Sequence, residues 1–225
     1  MQKNICTPIR CSSSRPRTRA RRRSKPRRRR RPPTPPARNR AVSEPDPHAL
    51  IFTIGHSTHP IERFLELLGE HRIAIVADVR SFPSSKRWPQ FNQAELSTSL
   101  ERAGIEYRWI KRLGGRRHSK RDDSPHSAWE LPAFRSYADY TESADFEDGM
   151  RELTQAAAGA RTAYMCSEGL WWRCHRRIIS DNLVIRDWTV EHIMPTGKLS
   201  AHVLAPFARV ADGRIIYDGA AGTEP

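Results

Sequence analysis

The chain has 225 residues, a length typical of one domain with extensions, and its 39 Lys and Arg against 25 Asp and Glu give a formal net charge of +14. Residues 1–43 hold 16 of these basic residues and no acidic residue. Subtracting 16 from 39 leaves 23 basic against 25 acidic residues from Glu44 onward, so the remainder carries a net charge of about −2. The composition therefore excludes a folded domain that is itself strongly basic.

No segment of the sequence predicts insertion into a membrane. The longest uninterrupted apolar run, Ile73–Ala77, is far shorter than the roughly 20 residues that a membrane-spanning helix needs. No apolar segment follows the N-terminal arginines, as a secretory signal would require. The four cysteines lie in two separate pairs and do not suggest a disulfide framework. We therefore expect a cytoplasmic protein with no membrane partner.

Residues 1–47 are dominated by Arg, Pro and Ser and are predicted to be disordered, because like charges repel and almost nothing apolar can be buried. Such a tail can bind nucleic acid non-specifically through its phosphates. A start codon assigned too far upstream would give the same composition, and the sequence leaves both readings open. An α/β domain is predicted over residues 48–205, and residues 206–225 form a C-terminal extension.

Strand and helix signals alternate along the predicted domain. Leu50–Ile54 predicts a first strand, and Thr58 is a candidate N-cap for the first helix. Ile73–Val79 is a short apolar run of the kind found in buried parallel strands. Asn92 has the spacing of a capping residue for a second helix, which the sequence predicts to end at Gly104.

The second half of the predicted domain repeats this pattern. Tyr107–Ile110 predicts a third strand, and the polar insertion Arg116–Leu131 is long enough to be a lid or a surface loop. The later elements are predicted as a helix over residues 146–157, a strand at Thr162–Cys166, a helix at Cys174–Arg186 and a strand at Thr189–Ile193. Repeated strand–helix units predict an α/β fold, in which a single domain has a mostly parallel sheet flanked by helices.

Reactive and polar side chains come directly after the predicted strands, where ligands bind in sheets of this type. Their shared position predicts one crevice that is built from distant segments of the chain. The candidate catalytic residues are His56, Cys166 and Glu168. The candidate ligand-binding residues are Gly55, Ser57, Asp78, Arg80, Gly114, Gly115, Arg173, Cys174, His175 and Arg176.

The segment after the fourth predicted strand indicates a site for an anionic, phosphate- or nucleotide-like ligand. A helix start offers free backbone N–H groups, and Arg173 and Arg176 add cationic donors that suit phosphate oxygens. A cysteine in this field should have a lowered pKa and be a better nucleophile, although Cys166 is equally consistent with a small buried residue. Cys166, Cys174, His175 and His56 could in principle hold zinc, but the spacing Cys-x7-Cys-His lacks the short Cys-x2–4-Cys pattern of structural sites, so the sequence assigns no metal ligand.

Several roles stay open at the level of sequence. His56 could act as a general acid or base. Asp78 could orient His56 or Arg80, or it could form an ion pair with Arg80 that fixes the end of the sheet. Trp171 and Trp172 are adjacent and cannot both be buried in the same way if the segment is extended, so at least one is a candidate for ligand stacking or for an interface.

Five ordered motifs resemble one known family. They are Thr53-Ile54-Gly55-His56-Ser57, Asp78-Val79-Arg80-Ser81, Pro89-Gln90-Phe91-Asn92, Leu113-Gly114-Gly115, and Cys166-x-Glu168 followed by Cys174-His175-Arg176. From about Ile51 to His202 the chain resembles the domain-of-unknown-function family 488 of bacteria and archaea. The resemblance implies an α/β fold and no established reaction. The bulky segment Leu170-Trp171-Trp172 departs from the Asp- and Pro-rich loop expected of the family.

The chain also shows a weaker likeness to rhodanese-like sulfurtransferases and phosphatases, in which a strand ends in Asp-Val-Arg and a later strand ends in cysteine. The phosphatase signature Cys-x5-Arg does not fit, because six residues lie between Cys166 and Arg173 and the signature has five. Three hypotheses follow: an enzyme that binds an anionic ligand, a non-catalytic nucleotide or nucleic-acid binding module, and a rhodanese-like sulfurtransferase using Cys166. The sequence indicates no particular cofactor, substrate or reaction.

Overall fold

A computed structural model describes residues 49–118 and 121–219, and the predicted disordered tail lies outside these residues. Its central sheet contains six strands: β1 (Leu50–Gly55), β2 (Ile75–Asp78), β3 (Glu106–Trp109), β4 (Thr162–Cys166), β5 (Thr189–Ile193) and β6 (Leu199–Ala201). The strands lie in the order β3-β2-β4-β1-β5-β6. The first five strands are parallel, and β6 runs antiparallel to β5.

Five helices cover the two faces of the sheet: α1 (Ile61–Glu70), α2 (Gln93–Arg102), α3 (Pro132–Tyr140), α4 (Ala144–Gly159) and α5 (Arg176–Val184). The buried side chains of α1 and α2 share one hydrophobic core, and those of α3, α4 and α5 share the other. The predicted fold class, a single α/β domain with a mostly parallel sheet flanked by helices, is therefore confirmed. Within the described part of the chain, no helix is both long and apolar enough to cross a membrane.

The central strands β1, β2 and β4 are buried on both faces because helices cover both faces. Successive residues of β1 alternate between the two cores, with Ile51 on the side of α4 and α5 and Phe52 on the side of α1 and α2. In β4, Tyr164 and Met165 divide in the same way. Every residue of β4 is buried, so this strand and its neighbours form a rigid support for the loops that follow them.

The structure corrects the prediction for the start of the first helix. Pro60, and not Thr58, is the residue at the N-cap of α1, and no side chain caps the helix. Asn92 does occupy the N-cap of α2, but its side-chain oxygen accepts a hydrogen bond from the Ser85 backbone N–H at 2.6 Å. The polar side chain therefore holds the preceding loop instead of the helix start.

Residues that the sequence assigns to a C-terminal extension include an antiparallel hairpin of β7 (Ala208–Ala211) and β8 (Arg214–Tyr217). Ile215 and Tyr217 belong to the same core as α4 and α5. The Tyr217 backbone also joins the predicted insertion, because its carbonyl accepts a hydrogen bond from the Ala128 N–H at 2.9 Å. The hairpin thereby fixes the later part of the insertion against the domain.

The strand order opens a crevice at one edge of the sheet. β1 and β4 are neighbours, yet α1 follows β1 on one face whereas α5 follows β4 on the other. Ligand sites of open α/β sheets lie where the connections of two adjacent strands diverge in this way. The loops after β1, β2 and β4 therefore meet at the position where a site is expected.

Candidate functional site

A cleft of about 850 Å³ lies at the carboxyl ends of β1, β2 and β4. Most of the residues predicted from sequence line it, including all three of the catalytic candidates. These lining residues are His56, Ser57, Arg80, Gly115, Cys166, Glu168, Arg173, Cys174 and His175. The structure therefore brings together side chains that lie more than 100 positions apart in the sequence.

The remaining predicted residues lie behind the wall of the cleft. Gly55 lets the loop after β4 approach β1, because a Cβ at this position would clash with the Glu168 carbonyl. Gly114 lies against Ser81, whose Oγ would be 2.6 Å from an added Cβ. Asp78 and Arg176 are buried and hold other groups of the site in place. The backbone at Gly114 is therefore close to another part of the chain and does not line the cleft.

Two cysteines and one histidine form the innermost part of the cleft. Cys166 ends β4, and Cys174 lies directly before the helical turn that begins α5. The Nδ1 atom of His175 is 3.8 Å from Cys166 Sγ and 3.5 Å from Cys174 Sγ. Both cysteines are buried and neither forms a disulfide. We call these three residues the thiol cluster.

The orientation of the His175 ring is set by the strand next to β4. Its Nε2 atom is 2.9 Å from the Val79 carbonyl oxygen. A carbonyl oxygen only accepts hydrogen bonds, so Nε2 carries the proton and donates it. In the neutral ring, Nδ1 is then the acceptor and faces the two sulfur atoms. Gly115 lies against the ring, because a Cβ there would be 2.5 Å from Nδ1.

The surroundings shift the pKa values of the two thiols in opposite directions. A hydrogen bond from the Cys174 thiol lowers the pKa of Cys166 well below its ordinary value, and the nearby His175 and Arg176 act in the same direction against the effect of burial. Burial, followed by the hydrogen bond to Cys166, raises the pKa of Cys174 well above its ordinary value. Cys166 is therefore the thiol of the pair that loses its proton more readily, and Cys174 is the one that retains it.

His56 lies across the cleft and is suited to remain neutral. Burial and, secondly, the Arg80 charge lower its pKa to about 4. Its ring stacks on Phe91, with centroids 4.1 Å apart. Nδ1 is 3.0 Å from the Ser57 carbonyl and must be the protonated nitrogen, so Nε2 has the lone pair. His56 can thus accept a hydrogen bond near neutral pH but cannot supply a cationic charge there.

Asp78 and Arg80 form a buried ion pair at the end of β2. The Arg80 Nη2 atom is 2.6 Å from an Asp78 oxygen, and the side chains are 6% and 0% exposed. Arg80 Nη1 donates to the Phe91 carbonyl at 2.9 Å, and Tyr107 donates to Asp78 at 2.8 Å. The guanidinium is therefore engaged by the protein itself, although Arg80 still contributes to the cleft wall.

Arg176 supports the loop after β4 from inside the protein. Its Nη2 atom donates to the Glu168 carbonyl, and its Nη1 atom donates to Thr53 Oγ1 at 3.0 Å. Thr53 Oγ1 is 2.9 Å from His192 Nδ1, and His192 Nε2 is 2.9 Å from His202 Nδ1. The Arg176 guanidinium thus begins a buried chain of hydrogen bonds that runs away from the cleft.

This chain of hydrogen bonds ends at a buried carboxylate. His202 Nε2 is 2.8 Å from Asp181 Oδ1, and the Tyr217 hydroxyl donates to Asp181 Oδ2 at 2.8 Å. If each histidine carries its proton on Nε2, every bond in the chain has one donor and one acceptor. The hydrogen bonds therefore connect the buried Arg176 cation, beside the thiol cluster, to the buried Asp181 carboxylate under the C-terminal hairpin.

Sequence reasoning missed this network and part of the cleft wall. One signal was available, since His192 shares a face of β5 with the buried Val190. The loop after β2 also lines the cleft with Ser81 and Phe82, and the start of the insertion adds Arg116. Such loop positions carry no periodic pattern from which their place could have been predicted.

The thiol cluster has the composition of a soft-metal site. Its two sulfur atoms and the His175 nitrogen lie within 4.8 Å of one another. Tetrahedral zinc with Zn–S near 2.3 Å and Zn–N near 2.0 Å has S···N edges of about 3.5 Å. The observed 3.5 and 3.8 Å are close to that value, and His175 donates its other nitrogen to a carbonyl, as metal-bound histidines commonly do. The three residues could therefore hold such an ion.

The fold and site define an α/β protein with a cysteine-centred cleft at the carboxyl ends of its parallel strands. The family model described as Domain of unknown function DUF488 matches residues 60–183, which is more than half of the chain. The protein belongs to this family, as its motifs predicted. The match includes the thiol cluster and Arg80, whereas His56 precedes it. No curated protein and no solved structure matches the chain.

Proposed function

We propose that the protein is a thiol-dependent group-transfer enzyme that acts on a small anionic substrate, with Cys166 as its nucleophile. The observation that carries this proposal is the geometry of the thiol cluster. Cys166 Sγ lines the cleft, His175 Nδ1 lies 3.8 Å from it, and the buried Arg176 lies behind the loop that follows it. A nucleophilic cysteine requires an electropositive neighbourhood and access to substrate, and this cleft supplies both.

The charge of the cleft supports an anionic substrate. Arg80, Arg116 and Arg173 line it, whereas Glu168 is the acidic residue among its described lining. Arg116 and Arg173 are exposed, so their guanidinium groups can reach a ligand. Arginine suits phosphate and carboxylate groups because its planar donors match their oxygen atoms.

In the proposed reaction, the Cys166 thiolate gives its electron pair to an electrophilic atom of the substrate. The bond from that atom to its leaving group breaks, and the leaving group departs with the bonding electrons. His175 Nδ1 is the acceptor that takes the proton of Cys166 when the thiolate forms, and from there it can return that proton to the leaving group. A second nucleophile then takes the transferred group from Cys166 and restores the thiolate, so the cycle requires no net oxidation or reduction.

The test is the rate at which iodoacetamide alkylates each cysteine of the full-length chain, followed by peptide mass spectrometry over a range of pH. We expect Cys166 to react fastest, with a midpoint well below the value of about 8.5 for an unperturbed thiol. A Cys174→Ala variant lacks the hydrogen-bond donor and should show a higher midpoint. Alkylation of Cys166 that begins only when the protein unfolds would overturn the proposal.

Two further experiments on the same protein test the other hypotheses from the sequence, the rhodanese-like sulfurtransferase and the non-catalytic binding module. A rhodanese-like sulfurtransferase would gain the mass of one sulfur atom on Cys166 after treatment with thiosulfate. A binding module without catalysis would protect Cys166 from alkylation when an anion binds, yet its ligand affinity would survive a Cys166→Ser substitution.

The donor set of the thiol cluster supports a second candidate function, in which a soft metal ion such as Zn²⁺ is held by Cys166, Cys174 and His175. The agreement of the S···N distances with tetrahedral edges favours it. A fourth position would face the cleft, as in catalytic zinc sites. Elemental analysis of the purified protein decides between the two functions. One zinc per chain, with alkylation of Cys166 that is slow until a chelator is added, would show that the cluster is a metal site and that Cys166 is not a free nucleophile.

A further inference from the structure

A second cavity of about 670 Å³ adjoins the cleft and has a different character. Phe134, Glu168 and Arg173 line both cavities, so a single molecule can extend from one into the other. The second cavity is lined in addition by Trp129, Trp172, Arg177 and Phe207. We call it the aromatic pocket.

The walls of the aromatic pocket are flat ring surfaces. Trp129 stacks on Phe134, with centroids 4.9 Å apart and planes 17° apart, and Phe207 meets Trp129 edge-on at 5.0 Å. Trp172 is 42% exposed, which is unusual for so large an apolar side chain. Exposed aromatic rings in a concave site are suited to stack on a planar ligand.

Hydrogen-bond donors in this pocket are unpaired. Trp129 is only 7% exposed, yet its Nε1 N–H has no acceptor among the described residues. The Nε N–H of Arg177 is likewise buried and without an acceptor there. The Arg177 guanidinium lies over Trp129 and Phe207, 5.3 and 4.9 Å from their ring centroids. Because a buried donor is normally paired, a ligand that brings acceptors would gain from a movement of these side chains that turns the two N–H groups toward the pocket.

The charges of the two cavities differ. In the aromatic pocket, Arg173 and Arg177 are balanced by Glu130 and Glu168, so the lining gives no preference for an anion. The lining of the cleft has an excess of arginine. A molecule that occupies both cavities would therefore place its anionic group in the cleft and a neutral ring in the aromatic pocket.

We propose that the aromatic pocket binds a neutral, planar ring with hydrogen-bond acceptors, and that the substrate of the cleft is a heteroaryl compound of this kind with an attached phosphate. A nucleoside monophosphate has this chemistry. The inference rests on the proposed function, because it names the substrate class of the same site.

The test compares the binding of ribose 5-phosphate with that of the four common nucleoside 5′-monophosphates, by calorimetry on the full-length protein. We expect at least one nucleotide to bind about tenfold more tightly than ribose 5-phosphate, since base stacking on an aromatic side chain contributes that much. Trp172→Ala should remove the difference while leaving the affinity for ribose 5-phosphate unchanged. Leu199→Ala, which shortens an exposed apolar side chain on β6, is the matched control.

A second variant, Trp129→Phe, keeps an aromatic ring in the wall but removes the unpaired N–H, and it should weaken nucleotide binding without affecting ribose 5-phosphate. The inference is overturned if no nucleotide binds more tightly than ribose 5-phosphate, or if Trp172→Ala weakens both ligands equally. Protection of Cys166 from alkylation separates the two proposals. If ribose 5-phosphate protects Cys166 and no nucleotide binds more tightly, the proposal for the aromatic pocket is wrong and the proposed function is unaffected. If a nucleotide binds tightly and Cys166 is unreactive, the proposed thiol-dependent enzyme is wrong and the ligand proposed for the aromatic pocket is unaffected.

Discussion

At the scale of single residues, the position of the His175 ring decides the chemistry of the thiol cluster. Val79 holds Nε2 from one side, and Gly115 leaves room for the ring on another. The two S···N distances of the cluster therefore depend on the absence of a side chain at position 115.

We predict that Gly115→Ala slows the alkylation of Cys166 by about ten- to a hundredfold at neutral pH, because the added Cβ would be 2.5 Å from His175 Nδ1 and displace the ring. The measurement is the alkylation rate resolved by peptide mass spectrometry. Gly69→Ala is the control, since its Cβ meets nothing within 4 Å. An unchanged rate in Gly115→Ala would show that His175 does not govern the reactivity of Cys166.

The Asp78–Arg80 pair poses a different question at this scale, namely whether Asp78 binds ligand or fixes the sheet. Asp78 is fully buried and is not among the residues that line the cleft, and both facts favour the second role. We predict that Asp78→Asn lowers the free energy of unfolding by about 3–5 kcal/mol, because it leaves the buried guanidinium without its counter-ion.

Urea unfolding measures this loss. Glu106→Gln is the matched control, because it breaks the Glu106–Arg108 ion pair on the surface and should cost less than about 1 kcal/mol. Equal costs in Asp78→Asn and Glu106→Gln would contradict the structural role of Asp78.

At the scale of elements, the C-terminal hairpin is a supporting part of the site. Its Tyr217 is 1% exposed and gives Asp181 a hydrogen bond at the far end of the buried chain from Arg176. We predict that Tyr217→Phe lowers the free energy of unfolding by about 1–3 kcal/mol, because one oxygen of a buried carboxylate loses its donor. Tyr140→Phe removes a hydroxyl that bonds a carbonyl at the surface, and it should cost less. A Tyr217→Phe cost no larger than that of Tyr140→Phe would argue against the anchoring bond.

The elements that the sequence predicted are those with a clear apolar pattern. Strand β4 is buried throughout and mostly apolar, and α4 repeats its apolar residues at helical spacing. Helix α3 was not predicted, because it follows the polar insertion and its buried residues are only Tyr137 and Ala138. The hairpin β7–β8 was not predicted either, since its strands have four residues each and depend on packing against α5.

The candidate site was predictable in position and less so in detail. The rule that ligands bind at the carboxyl ends of strands located His56, Cys166 and His175. It could not tell that Asp78 points into the protein, because that depends on the alternation within β2 and on the partner that Arg80 finds. Likewise, the aromatic pocket joins Trp129, Trp172 and Phe207 from three separate loops, and no local pattern links them.

At the scale of the whole molecule, two buried histidines make stability depend on pH. Burial is the main cause that lowers the pKa of His56 to about 4 and that of His192 to about 2. The folded state therefore keeps both rings neutral where the unfolded chain, with a pKa of about 6.5, would protonate them. Their contribution is complete above about pH 6.5 and is lost as the pH falls toward the folded-state values.

We predict that the free energy of unfolding drops by about 2–3 kcal/mol between about pH 7.5 and about pH 5.5, which is the linkage expected of two such groups. Urea titrations at the two pH values measure the difference. In His56→Asn, which can keep the hydrogen bond to the Ser57 carbonyl, the drop should be about half as large. Stability that is constant or rises on acidification would exclude the neutral buried state of both rings.

The buried chain of hydrogen bonds also determines when, during translation, the site is complete. Cys166 and Arg176 leave the ribosome before His202 and Tyr217, and domains fold as units once their parts have emerged. A nascent chain can thus contain both cysteines of the thiol cluster while the partners that bind Asp181 are still being made. The final reactivity of Cys166 therefore depends on residues that are made after it, and we expect it only in the finished protein.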